Sequence, residues 1–195
     1  MILAMAEGPA RTAELAAWLQ SLFAWERGTP VLVGGAAVEL YTNGAYTTGD
    51  LDFIGDVTPS VAAELARGGF ERHGRHWIHE GGQVFLEFPS SSLGPKERTQ
   101  HLRIGDVSVL AISVEDLLVD RLGAWLHWKS ATDGANAYVL WTIRRSEIDV
   151  SRVQDGLAEQ GFEAALESLV EFDRRHASAP PQAADIEQWA VNGPT

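Results

Sequence analysis

Two carboxylates one residue apart, Asp50 and Asp52, are the strongest chemical feature of this 195-residue chain. In an extended strand, residues i and i+2 project to the same face. Two carboxylates held on one face repel each other, and a divalent cation removes that repulsion. Mg²⁺ suits such oxygens and commonly keeps waters and phosphate oxygens as its remaining ligands. The residues that follow, Phe53 and Ile54, are apolar, so the pair reads as the start of a strand entering a core. A solvated pair at a strand end is the bland alternative.

Upstream, the apolar run Val31-Leu32-Val33 meets Gly34-Gly35 and then Ala36 to Tyr41. A buried strand that ends in two glycines and feeds a helix leaves backbone N–H groups at a positive helix end. Glycine lets the chain approach closely there, and an anion such as phosphate is favoured. A simple turn would use the same residues. A third carboxylate, Glu87, lies in the apolar segment Val84-Phe85-Leu86-Glu87-Phe88. An acid inside such a strand costs energy unless it is paired, bound to metal or turned to solvent. Alternation sets it opposite Leu86 and Phe88, and leaves both the solvent reading and the metal reading open.

The elements that must position these groups follow from periodicity. Leu15, Trp18, Leu19, Leu22 and Phe23 form one apolar stripe, which predicts a helix over residues 12–25. Strands are expected at 31–33, 51–54, 75–79, 84–88, 102–104 and 107–112, and a short helix at 36–41 ended by Thr42-Asn43-Gly44. Thr58 as N-cap and Pro59 as first helical residue open another helix, stopped at Gly68-Gly69. From Ser113 the period changes. A capping-box-like start, Ser113 to Asp116, opens a helix with Leu117, Leu118, Leu122, Trp125 and Leu126. Further helices are expected at 135–145, from about residue 149 to Gly161, and at 162–176. The fold class is therefore α/β (α+β), a mixed sheet with flanking helices over residues 1–112. A helical part follows over 113–177, then an extended tail over 178–195, with room for one helical turn around Trp189.

In this order the residues resemble the signature of the DNA polymerase beta-type nucleotidyltransferase superfamily. Gly-Gly ends the first strand, and Thr48-x-Asp50-x-Asp52 lies on the next. The match is nearest to small bacterial proteins similar to the abortive-infection nucleotidyltransferase toxins, which share the helix start Glu115-Asp116-Leu117-Leu118. The resemblance covers roughly residues 31–138. It implies that Gly34, Gly35 and Thr48 contact the phosphates of an NTP. It implies that Asp50 and Asp52 bind two Mg²⁺ ions, for which Mn²⁺ can substitute, and that Glu87 is the third carboxylate, as metal ligand or proton acceptor. The reaction implied is transfer of an NMP to a hydroxyl of a protein, an RNA end or a small molecule. Relatives often place an arginine or lysine just before Thr-x-Asp, whereas this chain has Ala45-Tyr46-Thr47. Arg121 takes the place of a basic residue that relatives carry in the first helix after the sheet, and Lys129 is a second candidate.

Composition narrows the rest. There is no cysteine, which excludes a thiolate nucleophile and disulfides. Formal net charge is −12, which disfavours a broad nucleic-acid-binding face. No apolar run approaches a membrane span, and the start of the chain lacks the basic residue and apolar length of a signal peptide. The expectation is a cytoplasmic protein without membrane contact, with a protein partner or a homodimer left open. His73, His76 and His79 are three apart, but Gly74 and the aromatic context suit strand and turn better than a zinc-binding helix face. Neither a Gly-x-Ser-x-Gly elbow nor a Gly-x-Gly-x-x-Gly turn is present. Trp125, Trp128 and Trp141 read as core or groove residues, Arg144-Arg145 as a solvated helix end, and Asp116 with Asp120 as an exposed acidic face. Two rivals stand beside the enzyme reading. One is a non-catalytic module of the same fold, such as a toxin–antitoxin component. The other is an unrelated α+β binding protein with an accidental Asp pair.

Overall fold

The computed structural model describes residues 2–23 and 28–194. Two compact units emerge, residues 1–113 and 114–195. The first unit opens with helix α1 (Pro9–Leu22). Pro9 can stand at its first turn because that position needs no backbone donor. The expected stripe is buried at Leu15, Leu19 and Phe23, and Trp18 stacks on Phe70 at 5.7 Å. Trp25, placed at the end of that helix from sequence, lies outside the described residues. There follow β1 (Val31–Val33), α2 (Gly34–Tyr41), β2 (Asp50–Ile54) and α3 (Pro59–Arg67). The Thr58 hydroxyl accepts from the N–H of Val61 and caps α3.

The next strands are β3 (Glu71–His73), β4 (His76–His79), β5 (Val84–Ser90), β6 (Thr99–Ile104) and β7 (Val107–Ile112). β3 is absent from the sequence expectation. Its three residues are all exposed and polar, so no alternation reveals it. The seven strands form one sheet in the order β3-β4-β5-β2-β1-β7-β6. β1 runs parallel to β7, and β2 parallel to β5; the other pairs are antiparallel. One face is buried by Leu51, Phe53, Val84 and Leu86. Gln20 fastens α1 to this sheet: its side-chain amide donates to the carbonyls of Pro30 and Leu110, and its oxygen accepts from the N–H of Leu110 at 3.0 Å.

The second unit is helical: α4 (Val114–Trp128), α5 (Ala131–Arg144), α6 (Val150–Ala158), α7 (Glu163–Arg175) and α8 (Ala183–Asn192). α8 replaces most of the expected extended tail: the single turn expected around Trp189 is a ten-residue helix. Pro180 and Pro181 end only the approach to it. The helix then buries Trp189 against Trp125 at 4.4 Å and Phe172 at 4.9 Å between ring centroids. The indole of Trp125 donates to the Ala190 carbonyl at 2.7 Å. Large aromatic rings of this kind dominate core energetics. Asp116 is likewise no part of an exposed acidic face. It takes both its oxygens to Arg152 at 2.7 and 2.8 Å, with 14% of its side chain exposed. Trp125 and Trp141 are core residues, but Trp128 is 75% exposed. Arg144 pairs with Glu147, and Arg145 pairs with Asp173 and covers the Trp141 ring. Among the described residues, no helix is long and apolar enough to cross a membrane.

Candidate active site

The face of the sheet opposite the core carries the acidic residues. In β2, Leu51 and Phe53 turn inward, which leaves Asp50 and Asp52 on the other side. The parallel register sets Asp50 beside Phe85 and Asp52 beside Glu87, and the antiparallel register of β4 with β5 sets Glu87 beside His76. One row across three strands therefore reads His76, Glu87, Asp52, with neighbouring strands about 4.8 Å apart. The row beside it sets the 42%-exposed Phe85 next to Asp50.

The two glycines have separate jobs. Gly34, the first residue of α2, stands at φ +65°, a left-handed conformation that disfavours any Cβ. A Cβ there would lie 2.3 Å from Oδ2 of Asp52, so the Asp52 carboxylate occupies the space that the missing side chain leaves. Gly35 has an ordinary φ, and a Cβ on it would lie 3.4 Å from Thr48 Cβ and Oγ1 and from the Tyr46 ring. The first turn of α2 is thus lined by Asp52 on one side and by the 46–48 segment on the other. Val33, which precedes the helix, provides no side-chain cap.

Thr48 in turn holds the carboxylate strand. Its hydroxyl accepts from the N–H of Asp50 at 3.3 Å, and its own N–H donates to Glu39 Oε2 at 3.3 Å. Glu39 is a functional candidate that the sequence reading passed over. It is 1% exposed and also accepts from the Thr12 hydroxyl at 3.2 Å. Burial pushes its carboxyl above the usual value near 4.5, and the nearby Glu7 charge adds to this; the bonds from Thr48 and Thr12 oppose it. The available signal was its position, the one carboxylate in Gly34–Tyr41.

Glu87 lies beside Asp52 in register, but its carboxylate is engaged elsewhere. Arg75 Nε sits 2.7 Å from one oxygen and His76 Nδ1 3.5 Å from the other. Among the described residues, no group of three or more His, Asp or Glu side chains is placed to hold a metal ion. Asp50 and Asp52 fit a hard divalent cation in donor type, and Gly34 leaves the Asp52 carboxylate room against the first turn of α2. Glu87 joins them only by leaving Arg75 and His76. The remaining histidines are dispersed: His73 pairs with His76 across the β3–β4 hairpin, and His79 packs edge-on against Phe70 and accepts from the N–H of Gly82 at 2.8 Å.

The two cations expected from sequence lie in the second unit. Arg121 is shared between Asp133 at 2.6 Å and Asp120 at 2.5 Å, with 18% of its side chain exposed. Lys129 is exposed, at φ 53° just past the end of α4.

No protein-family model matches the chain, and no curated protein matches it in sequence. Two solved structures do resemble it. An antigenic nucleotidyltransferase-like protein from Paracoccidioides brasiliensis aligns with a TM-score of 0.57 and 15% identity, over 89% of this chain and 95% of that one. The antibiotic-resistance factor ANT(2'')-Ia aligns with a TM-score of 0.55 and 14% identity, over 87% of this chain and 98% of that one. At such identities the likeness is one of fold. The mixed seven-stranded sheet followed by helices is a nucleotidyltransferase-like fold.

Proposed function

We propose that this protein is a nucleotidyltransferase that moves a nucleoside monophosphate from an NTP to a hydroxyl. The observation that carries the reading is the fit of Asp52 into the space over Gly34, which joins the carboxylate strand to the first turn of α2. The backbone amides of that turn receive the phosphates, helped by the helix dipole. Asp50 and Asp52 would hold Mg²⁺, two ions in the full arrangement, with Mn²⁺ as a substitute. Bound there, the metal supplies neutralising charge for the phosphoryl oxygens and the leaving pyrophosphate. Thr48 keeps Asp50 in place through the Asp50 N–H.

In the reaction, the acceptor oxygen forms a bond to the α-phosphorus. The bond from that phosphorus to the oxygen bridging the β-phosphate breaks, and pyrophosphate leaves with the electron pair. The hydroxyl proton goes to Glu87, once Arg75 and His76 release it. Most of the rate enhancement comes from positioning and fixed charge. The acceptor belongs to a protein, an RNA end or a small molecule. The net charge of −12 disfavours a long nucleic-acid track, and the absence of cysteine suits the cytoplasm. The resemblance to abortive-infection toxins rests on Glu115-Asp116-Leu117-Leu118, and the reaction does not depend on it.

A second reading is favoured by one observation, the engagement of Glu87 by Arg75 and His76. It makes the protein a non-catalytic module of this fold, such as a toxin–antitoxin component. Isothermal titration with Mg²⁺ and each NTP separates the two. Metal-dependent binding in the wild type that disappears in Asp50→Asn/Asp52→Asn supports the enzyme. Absence of binding in the wild type defeats it.

A further inference from the structure

A carboxylate in the middle of an apolar helix needs a reason, because burying a charge is costly unless strong hydrogen bonds offset it. In Gly34–Tyr41 every neighbour of Glu39 is apolar or a glycine, apart from the Tyr41 hydroxyl, which donates to the Ile112 carbonyl. An alkyl side chain would pack in the same space without that penalty. What Glu39 does that an alkyl chain cannot is accept two hydrogen bonds from different segments. One oxygen takes the Thr12 hydroxyl of α1; the other takes the N–H of Thr48. Thr48 then passes the constraint on, since its hydroxyl receives the N–H of Asp50.

The chain of bonds runs from Thr12 of α1 through Glu39 of α2 and Thr48 to the backbone N–H of Asp50. Thr48 Cβ and Oγ1 lie at the distance where even a Cβ on Gly35 would just touch them. Thr48, Gly49 and Thr12 also border a cavity of about 30 Å³ shared with Arg11 and Gln83. That is room for about one water, so a released 48–50 segment has space into which to shift.

We propose that Glu39 is the positioning residue of this site: its buried carboxylate pins Thr48 against α1 and so fixes where Asp50 stands. The inference rests on the nucleotidyltransferase reading for its purpose, but its geometric content can be tested without nucleotide. Glu39→Gln retains the tether. Its amide oxygen accepts from the Thr48 N–H, and its NH₂ donates to Thr12, whose hydroxyl can accept. Glu39→Met keeps the size and the packing and removes both acceptors.

The experiment is amide hydrogen exchange of the full chain, resolved to the peptide containing residues 47–51, together with titration of Mg²⁺-ATP. Glu39→Met speeds exchange at 47–51 by about 10-fold and weakens nucleotide binding by about the same factor, as expected for one lost charge-assisted hydrogen bond. Exchange over β6 and β7 stays as in the wild type, and Glu39→Gln restores both readouts. Unchanged exchange at 47–51 in Glu39→Met overturns the proposal. So does a uniform rise over the whole first unit that Glu39→Gln fails to rescue, because that pattern belongs to a merely structural residue. Should Glu39→Met fail to fold, Thr12→Val decides: faster exchange at 47–51 supports the tether, and wild-type exchange overturns it. Failure of the wild type to bind any NTP defeats the enzymatic reading and leaves the exchange result to judge Glu39.

Discussion

Gly34 and Gly35 are neighbours in one helical turn, yet substitution of each by alanine is expected to shift stability in opposite directions. At Gly34 the backbone is left-handed, which costs about 1–2 kcal/mol for a residue with a Cβ. The new methyl would also stand 2.3 Å from Asp52 Oδ2, so the carboxylate or the first turn of α2 must move. For a chain of this size, 1 kcal/mol corresponds to about 2–4 °C in Tm. Gly34→Ala should therefore melt about 2–8 °C below the wild type. At Gly35 φ is ordinary and the nearest atoms lie at 3.4 Å, a normal contact. Alanine there gains about 0.5–1 kcal/mol of helix preference, and Tm should rise by about 1–4 °C. Circular-dichroism melts of the two variants give the comparison. A double-mutant cycle locates the cause. Asp52→Ala removes Oδ2 and Cγ and leaves only Cβ, at 3.2 Å. Gly34→Ala should therefore cost less in the Asp52→Ala background, with a coupling above the roughly 0.3–0.5 kcal/mol scatter of independent sites. Equal melting temperatures for the two glycine variants, or strict additivity in the cycle, would refute the cradle that links Gly34 to Asp52.

Three other outcomes follow from the same structure. Glu39 has its carboxyl held above 4.5 by burial, so its contribution to stability is full below that pH and is lost as pH rises through the raised value. Glu39→Gln has no such proton to lose and should gain on the wild type as pH rises from about 4.5; a Tm difference that stays flat with pH contradicts this. Gly134 lies under the Trp125 ring, and a Cβ there would meet indole atoms at 2.7–2.9 Å. Gly134→Ala should lose about 1–3 kcal/mol by overpacking, read as a lower urea midpoint, and a wild-type midpoint would show that the ring moves freely. Asp116→Ala strips Arg152 of a bidentate partner in a mostly buried place, and a loss of about 1–3 kcal/mol is expected once partial exposure is discounted; a loss below 0.5 kcal/mol would place the pair among surface bridges.

Strands with an alternating or continuous apolar pattern, and helices with one apolar stripe, were legible because burial alone decides them. β1, β2 and β7 are of this kind, and so are α1 and α7 apart from their ends. β3 was not legible, since Glu71-Arg72-His73 has no apolar side chain and becomes a strand only by pairing with His76, Trp77 and Ile78. The length of α8, beyond one turn around Trp189, was hidden because its two buried residues, Trp189 and Ala190, make too short a stripe to show a period. Their partners, Trp125 and Phe172, lie well upstream in the chain. At the site, the Asp50–Asp52 spacing and the glycine turn could be read directly. The engagement of Glu87 by Arg75 and His76 could not, because it depends on a hairpin register that no local spacing encodes. Glu39 was readable in principle as an acid inside an apolar helix, but its partners Thr12 and Thr48 are set by the tertiary fold.

The central claim is that Asp50 and Asp52 hold the metal that accompanies a nucleotide at the Gly34-Gly35 turn. Crystals grown with Mn²⁺ and a non-hydrolysable NTP test it most directly, through the anomalous signal of the metal. The account predicts a peak within bonding distance of both carboxylates, with phosphate oxygens against the amides of the first turn of α2. Nucleotide bound at another face, or manganese away from Asp50 and Asp52, would contradict it.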